Sequence, residues 1–191
     1  GAIRYSRDGE FKFDDAGILV SRSGGAKVLA RDASGALKEL SLAGLRTNPA
    51  KATGTVTFRG NLSNTEPSNT ITGVNVLDEV GGEHSLTVEF TNQSATQVGQ
   101  WKVTVKDGTT EIGSSTLTFV GGLVDASSAK LSFTYQPPGV SALPVVFDFS
   151  QDVTSFSAGT SSDLAVLQQD GHVAGSLTEA KFDAEGVLTL T

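Results

Sequence analysis

Cysteine and methionine are both absent from the 191-residue chain. Without Cys there is no disulfide, no zinc–thiolate site and no cysteine nucleophile. There are only two His, His84 and His172, which argues against a multi-histidine metal site. No apolar run approaches the ~20 residues of a membrane-spanning helix. The opening GAIRYSRDGE has no apolar stretch of the kind a secretory signal needs. Basic residues are scarce and scattered: 14 Lys and Arg against 21 Asp and Glu leave a net charge of −7. Phosphate recognition needs clustered cations, so nucleic acid and anionic membranes are poor partners.

What the chain has instead is hydroxyl and glycine: 42 Ser and Thr, and 22 Gly. Thr suits half-buried pleated surfaces and Gly suits turns and bulges, so the composition points to an all-β protein. Alternating segments carry the same message. Residues 53–58 (TGTVTF), 71–77 (ITGVNVL), 85–91 (SLTVEFT), 101–106 (WKVTVK), 116–120 (TLTFV), 130–135 (KLSFTY) and 145–149 (VVFDF) all read as strands. In them Val56 and Phe58 share a face, as do Leu86, Val88 and Phe90, and Trp101, Val103 and Val105. Asp107-Gly108 predicts a tight hairpin, and Gly81-Gly82, Gly121-Gly122 and Pro137-Pro138-Gly139 predict breaks. No long amphipathic helix is evident. Residues 161–169 (SSDLAVLQQ) predict one or two helical turns behind a Ser or Asp cap. Residues 37–45 fit a short helix or a strand.

One element repeats. KFDDAGIL at residues 12–19 returns as KFDAEGVL at 181–188 and, more loosely, as ARDASGAL at 30–37. Each is strand, Asp-x-x-Gly, strand, the pattern of a hairpin turn in which the Asp side chain accepts backbone N–H bonds. A calcium loop is the alternative, but calcium takes six or more oxygens and these turns lack closely alternating Asp and Asn.

Charge shifts along the chain: residues 1–48 carry a net +2, 49–167 a net −6 and 168–191 a net −3. Residues 46–52 (RTNPAKA) and 155–163 (SFSAGTSSD) read as connectors. The expected organisation is two β domains, one inserted into the other. Residues 1–48 plus 168–191 form an outer, discontinuous domain, and 49–167 an inserted β-barrel or sandwich.

Chemistry is sparsely represented. His84, Ser85, Asp78 and Glu79 supply the residue types of serine hydrolysis, but there is no G-x-S-x-G elbow, and His84 reads as part of an exposed turn. His172 in QDGHVAG reads as a surface residue. Asp148, Asp152, Glu83 and Glu89 read as solvated charges rather than a facing catalytic pair. The glycine pairs lack the Lys-Ser/Thr of a phosphate loop. Phe58, Phe90, Phe119, Phe133, Phe147 and Phe149 fall on apolar faces and read as core. Trp101 reads as partly exposed, a thin basis for a sugar platform. The expectation is therefore no catalytic residue, no metal ligand and no cofactor.

The opening Tyr5-Ser6-Arg7-Asp8-Gly9-Glu10-Phe11, followed by Asp14, Gly17, Leu19 and Val20, resembles the Y-[ST]-R-D-G-x-F-x-x-D-x-x-G-x-L-V signature of flagellar rod and hook axial proteins. Residues 54–62 (GTVTFRGNL) resemble a segment that opens the inserted domain of hook proteins. Residues 76–90 (VLDEVGGEHSLTVEF) resemble their V-x-D-x-x-G-x-x-H-x-[LM]-x-V-x-F stretch. Residues 168–188 resemble the stretch where the chain re-enters the outer domain, with Gln168 in place of Asn. Residues 93–162 match only as generic β sequence.

The resemblance implies a structural subunit of the bacterial flagellar hook, a flexible helical homopolymer that passes motor torque to the filament. Its implied partners are copies of itself, with rod and hook–filament junction proteins at the hook ends. It implies an extracellular location reached through flagellar export without a cleaved signal, and a fragment lacking the terminal helical segments of a full-length chain. It names no subunit-contact residues. A carbohydrate-binding or adhesin-type extracellular β-sandwich is the alternative from another class. A hydrolase and a rod subunit are more distant readings.

Overall fold

Alternation of apolar and polar residues builds most of what is seen. The computed structural model describes residues 3, 5, 7, 9–32, 34–159, 161–183 and 187–190. Ser6 and Asp8 of the opening motif, Ala33, Thr160, residues 184–186 of the closing repeat and Thr191 lie outside the described residues. Every regular element is a strand. In chain order these are β1 (Phe11–Phe13), β2 (Leu19–Ser21), β3 (Leu29–Arg31), β4 (Leu37–Glu39), β5 (Thr47–Asn48), β6 (Thr55–Asn61), β7 (Ser68–Leu77), β8 (Glu83–Asn92) and β9 (Gln100–Asp107). There follow β10 (Thr110–Val120), β11 (Leu123–Val124), β12 (Lys130–Tyr135), β13 (Leu143–Asp148), β14 (Val153–Thr154), β15 (Ala165–Gln169), β16 (Gly175–Ser176), β17 (Ala180–Phe182) and β18 (Leu188–Leu190). The chain groups into two compact units, Gly1–Asn48 with Gly175–Thr191, and Pro49–Ala174.

The larger unit holds one mixed sheet, ordered β12-β13-β6-β14-β11-β10-β9-β8-β7, with β15 also on β6. Strands β7 to β10 are consecutive antiparallel hairpin partners. The turn at Asp107-Gly108 is the tight hairpin that the dipeptide predicts, with Asp107 opposite Thr110 and Gly108 at φ +55°. Strand β6 is the junction. It takes β13 in parallel along Thr55–Thr57, then β14 in parallel at Gly60 and Asn61, and β15 antiparallel on its other edge. Gly60, at φ +111°, sits where β6 changes partner, and a Cβ there would run into the Asp163 carbonyl.

Inward-facing residues of these strands make one core. Val56, Phe58, Leu86, Val88, Phe90, Trp101, Val103, Val105, Phe147 and Phe149 are all buried in it. Phe58 stacks on Phe149 with ring centroids 4.6 Å apart, and Phe149 meets Phe90 edge-on at 6.0 Å. Such pairs add to the burial term through their quadrupoles. Trp101, expected to be partly exposed, is fully buried. It is the second residue of β9, between Asn92 of β8 and Leu117 of β10, on the inner face with Val103 and Val105. The polar Gln97–Gln100 sequence before it belongs to a surface turn and does not predict the facing of the strand.

Residues 161–169 form no helix. Their Ser and Asp resemble a helix cap but bond to another strand: Ser63 N–H donates to Ser162 Oγ at 2.9 Å and Asn61 N–H to the Asp163 carboxylate. Val166 then pairs with Phe58 and packs on the core. With Gln168 and Gln169 paired to β6 and His172 bridged to Lys51, residues up to 174 belong to the larger unit, and not only those up to 167.

The smaller unit is built of two-stranded ribbons: β1–β2, β3–β4, β5–β16 and β17–β18. Thr47 and Asn48 pair with Ser176 and Gly175, joining segments far apart in sequence. Leu19, Val20 and Leu42 are its buried apolar side chains among the described residues.

The Trp101 Nε1–H is buried without an acceptor. Trp101→Phe therefore removes an unsatisfied donor along with part of a ring, whereas Trp101→Ala empties the site. We expect about 3–5 kcal/mol lost on truncation to Ala and under about half of that for Phe, read from urea midpoints. Equal losses would show that the indole N–H is engaged.

Candidate functional site

The repeated Asp-x-x-Gly element is a single hairpin turn used four times. In each, the Asp N–H donates to the carbonyl four residues on, and that residue's N–H returns to the Asp Oδ1. Ile18 N–H reaches Asp14 at 2.8 Å, Ala36 reaches Asp32 at 3.1 Å, Gly82 reaches Asp78 at 2.7 Å and Val187 reaches Asp183 at 2.7 Å. The return bonds, from Asp14, Asp32, Asp78 and Asp183 N–H to the facing carbonyls, are 2.9–3.0 Å. Gly17, Gly35 and Gly81 take φ of +77°, +81° and +85°, the left-handed conformation that a following bulge requires. The fourth copy, Asp78-Glu79-Val80-Gly81, was legible in the sequence and missed there because its flanks differ from KFD. An oxygen of each carboxylate thus faces backbone N–H groups, the arrangement of a turn rather than of a calcium loop. Among the described residues no three His, Asp or Glu side chains gather into a metal-sized cluster.

Asp78 does more than close its turn. Its Oδ1 also accepts from Val80 N–H at 3.0 Å, and its Oδ2 lies 2.9 Å from His84 Nε2. His84 is not in an exposed turn. It is the second residue of β8, its side chain only 21% exposed, against 5% for Asp78. The His84 ring meets Tyr135 edge-on at 5.4 Å, and the Tyr135 hydroxyl donates to Asp107 Oδ2 at 2.7 Å. Two hairpin turns are thereby fastened to the end of β12. The bond from His84, with those from the Gly82 and Val80 N–H groups, holds the Asp78 carboxyl below its ordinary range. Burial and the Asp107 carboxylate push the Tyr135 phenol up to about 12. The pairing of Tyr135 with Asp107 was not read from the sequence, where Asp107 stood only as a turn residue, since residues 107 and 135 lie on strands whose proximity alternation does not reveal.

These groups do not make a hydrolytic triad. Ser85 follows His84 on the strand, so its side chain points to the opposite face. The nearby Ser141 hydroxyl donates to Glu79 at 2.7 Å, leaving His84 with Asp78. Of the other carboxylates considered, two are held in ion pairs. Asp148 is less open to solvent than its strand position suggests, at 14% side-chain exposure, and pairs with Lys130 at 3.1 Å. Glu89 pairs with Lys106 at 2.7 Å, Glu83 accepts from Asn75, and Asp152 occupies a turn at φ +47°. His172 is exposed at the bridge to Lys51. Two shallow depressions, about 330 and 310 Å³, are lined by Val124, Ser127, Lys130 and Ser150, and by Thr55, Thr57, Gln168 and Asp170. Neither contains His84, Asp78 or Trp101, and with Trp101 in the core no indole is offered to a sugar face.

No family model matches the sequence, and no curated protein matches it.

The depressed Asp78 carboxyl ties stability to pH. A carboxyl held below its unfolded value, about 4, contributes stability above that value and loses it as pH falls through the folded one. Asp78→Asn should thus lower the urea midpoint at pH 7, and the gap to the parent chain should narrow as pH falls below the ordinary carboxylate range. A gap that stays constant as the solution is acidified would mean that the carboxylate charge is irrelevant to the turn.

Proposed function

We propose that the chain is a non-enzymatic structural subunit of the bacterial flagellar hook, acting outside the cell in a flexible helical homopolymer that passes torque to the filament. In this reading the larger β unit is a domain inserted between two halves of the smaller one. The pairing of Thr47 and Asn48 with Gly175 and Ser176 supports that organisation. The partners are copies of the chain, with rod and junction proteins at the ends of the assembly.

One observation carries the reading. The stretch that resembles the hook motif V-x-D-x-x-G-x-x-H-x-[LM]-x-V-x-F is framework at every specified position. Val76, Leu86, Val88 and Phe90 are buried in the core. Asp78 closes the turn, Gly81 takes the left-handed conformation, and His84 leans on Asp78. A motif that specifies packing and turn chemistry suits a protein whose job is shape. The outward positions of the same sheet mix hydroxyl side chains, Ser85, Thr87, Thr91, Ser114 and Thr116, with the charged Glu83, Glu89, Lys102 and Lys106. Such a surface favours weak, hydrated contacts over permanent apolar ones.

Antibodies raised against this chain, applied with gold to isolated flagella of the source bacterium, should label the short segment between the cell envelope and the filament. Label over the filament, or over the cell surface away from flagella, would overturn the proposal.

A further inference from the structure

Three apolar side chains lie together on the outer face of β10, β11 and β14. Phe119 and Val153 are buried, so alternation turns Val120 and Thr154 outward, and Phe156, just past β14, is exposed after the buried Ser155. Val120 pairs with Leu123 across the Gly121-Gly122 turn, and Leu123 pairs with Thr154. The Phe156 ring lies against Gly122, where any Cβ would run into it. The Phe156 main chain is held at both polar groups by Asn61: its N–H donates to Oδ1 at 2.8 Å, and its carbonyl accepts from Nδ2 at 3.1 Å. The ring is therefore presented by a fixed backbone. Val120, Leu123 and Phe156 are nonetheless 65%, 59% and 50% exposed.

The surroundings of this patch are acidic. Asp125 follows Leu123 by two residues, Asp152 precedes Thr154 by two, and the Asp163 carboxylate accepts from Asn61 N–H. Strands β10, β11 and β14 contain no Lys or Arg; the adjoining β6 has Arg59. Between Lys106 and Lys181 the chain has a single basic residue, Lys130. The larger unit has five Lys and Arg against twelve Asp and Glu, and so holds the whole net charge of −7, while the smaller unit balances nine against nine. Two copies meeting patch to patch would bring like charges together. The β3–β4 hairpin of the smaller unit has the complementary character. Leu29 and Leu37, 39% and 41% exposed, share a face with Arg31 and Glu39. Lys27 pairs with Glu39 at 2.9 Å and Lys38 with Asp32 at 2.7 Å, while Arg31 donates to the Gly35 carbonyl, so Arg31 is the hairpin cation that stands outside these two ion pairs.

We propose that Val120, Leu123 and Phe156 of one copy receive the β3–β4 hairpin of a second copy, Leu29 and Leu37 against the patch and Arg31 toward its acidic rim. The contact deepens the assembly reading above and rests on it. It joins unlike surfaces, so repeating it generates a ring or an open helix rather than a two-fold dimer. A single hairpin on three side chains is small beside the ~1,000 Å² of a self-sufficient interface. One contact holds weakly, and many contacts hold when copies are already aligned.

The absence of native Cys makes cross-linking clean. One preparation carries Ser157→Cys, beside the patch, and a second carries Ala36→Cys, at the hairpin tip. Mixed at millimolar concentration and low salt under mild oxidation, they should give a disulfide-linked heterodimer about tenfold above either homodimer. Adding Val120→Ser and Leu123→Ser to the first preparation should lower that yield about tenfold, with an unchanged thermal melt to show that the chain still folds. High salt should lower it as well. Homodimers of Ser157→Cys matching the heterodimer, or a yield indifferent to the two Ser substitutions, would overturn the proposal. The gold-labelling result separates the two readings. Label away from the hook with the heterodimer intact removes the hook and keeps the contact; label on the hook with no heterodimer does the reverse.

Discussion

Everything in the larger unit depends on β6 finding three partners that are remote in sequence. Phe58 marks the place: it stacks on Phe149 and lies 5.4 Å from Phe147, both delivered by the segment around β13. Strands β7 to β10 can zip locally, turn by turn, because each pairs with its neighbour in sequence. Strand β6 cannot. Its partners β13, β14 and β15 lie beyond the hairpin strands in sequence, so the loop-closure entropy falls on this one strand. The parallel pairing of β6 with β13 follows from the same constraint, since a chain returning after an even number of reversals runs in its original direction.

The Asp-x-x-Gly turn answers a smaller version of the same problem, how to reverse a chain without leaving backbone groups unpaired. The Asp carboxylate takes the N–H on the far side of the turn, and the Gly supplies the one conformation that a side chain resists. In the smaller unit the device stands almost alone, because ribbons of two or three residues per strand have little core to share, and isolated hairpins are marginal in water. In the larger unit the same turn has a free oxygen directed at His84, which carries the local order across to Tyr135 and Asp107. A turn that is self-sufficient in one unit becomes a tie between elements in the other.

How much of this was legible in the sequence divides along physical lines. Period-two patterns located β6 to β10, β12 and β13, because burial of one face writes itself directly into alternate residues. The all-β class followed from the same signal. The two-residue strands β11 and β14 left no pattern to read, being shorter than one full alternation. Residues 161–169 were misread because Ser and Asp ahead of apolar residues make the same hydrogen bonds to a helix's first N–H groups as to the end of a neighbouring strand; only the partner differs. Trp101 was misread from its polar predecessors, although its own spacing from Val103 and Val105 already placed it inward. The pairing of His84 with Asp78 was within reach, six residues apart across a recognisable turn, whereas Tyr135 and Asp107 required the sheet order.

Charge separates the two units more sharply than composition does. With the whole net −7 on one unit and a balance on the other, like units of neighbouring copies in the proposed assembly would feel unequal repulsion, over a range of ~8 Å at physiological salt. Contacts between larger units must therefore be polar and close enough for individual pairs to matter, and exposed pairs of that kind contribute only about 0–1 kcal/mol. Contacts that place a larger unit against a smaller one avoid that penalty. A surface of Ser and Thr over a rigid apolar core deforms little itself but exchanges one hydrated register for another at low cost, since each hydroxyl both donates and accepts. In the proposed assembly, stiffness inside each copy and slippage between copies would come from the same alternating sequence, one from its inward residues and the other from its outward ones.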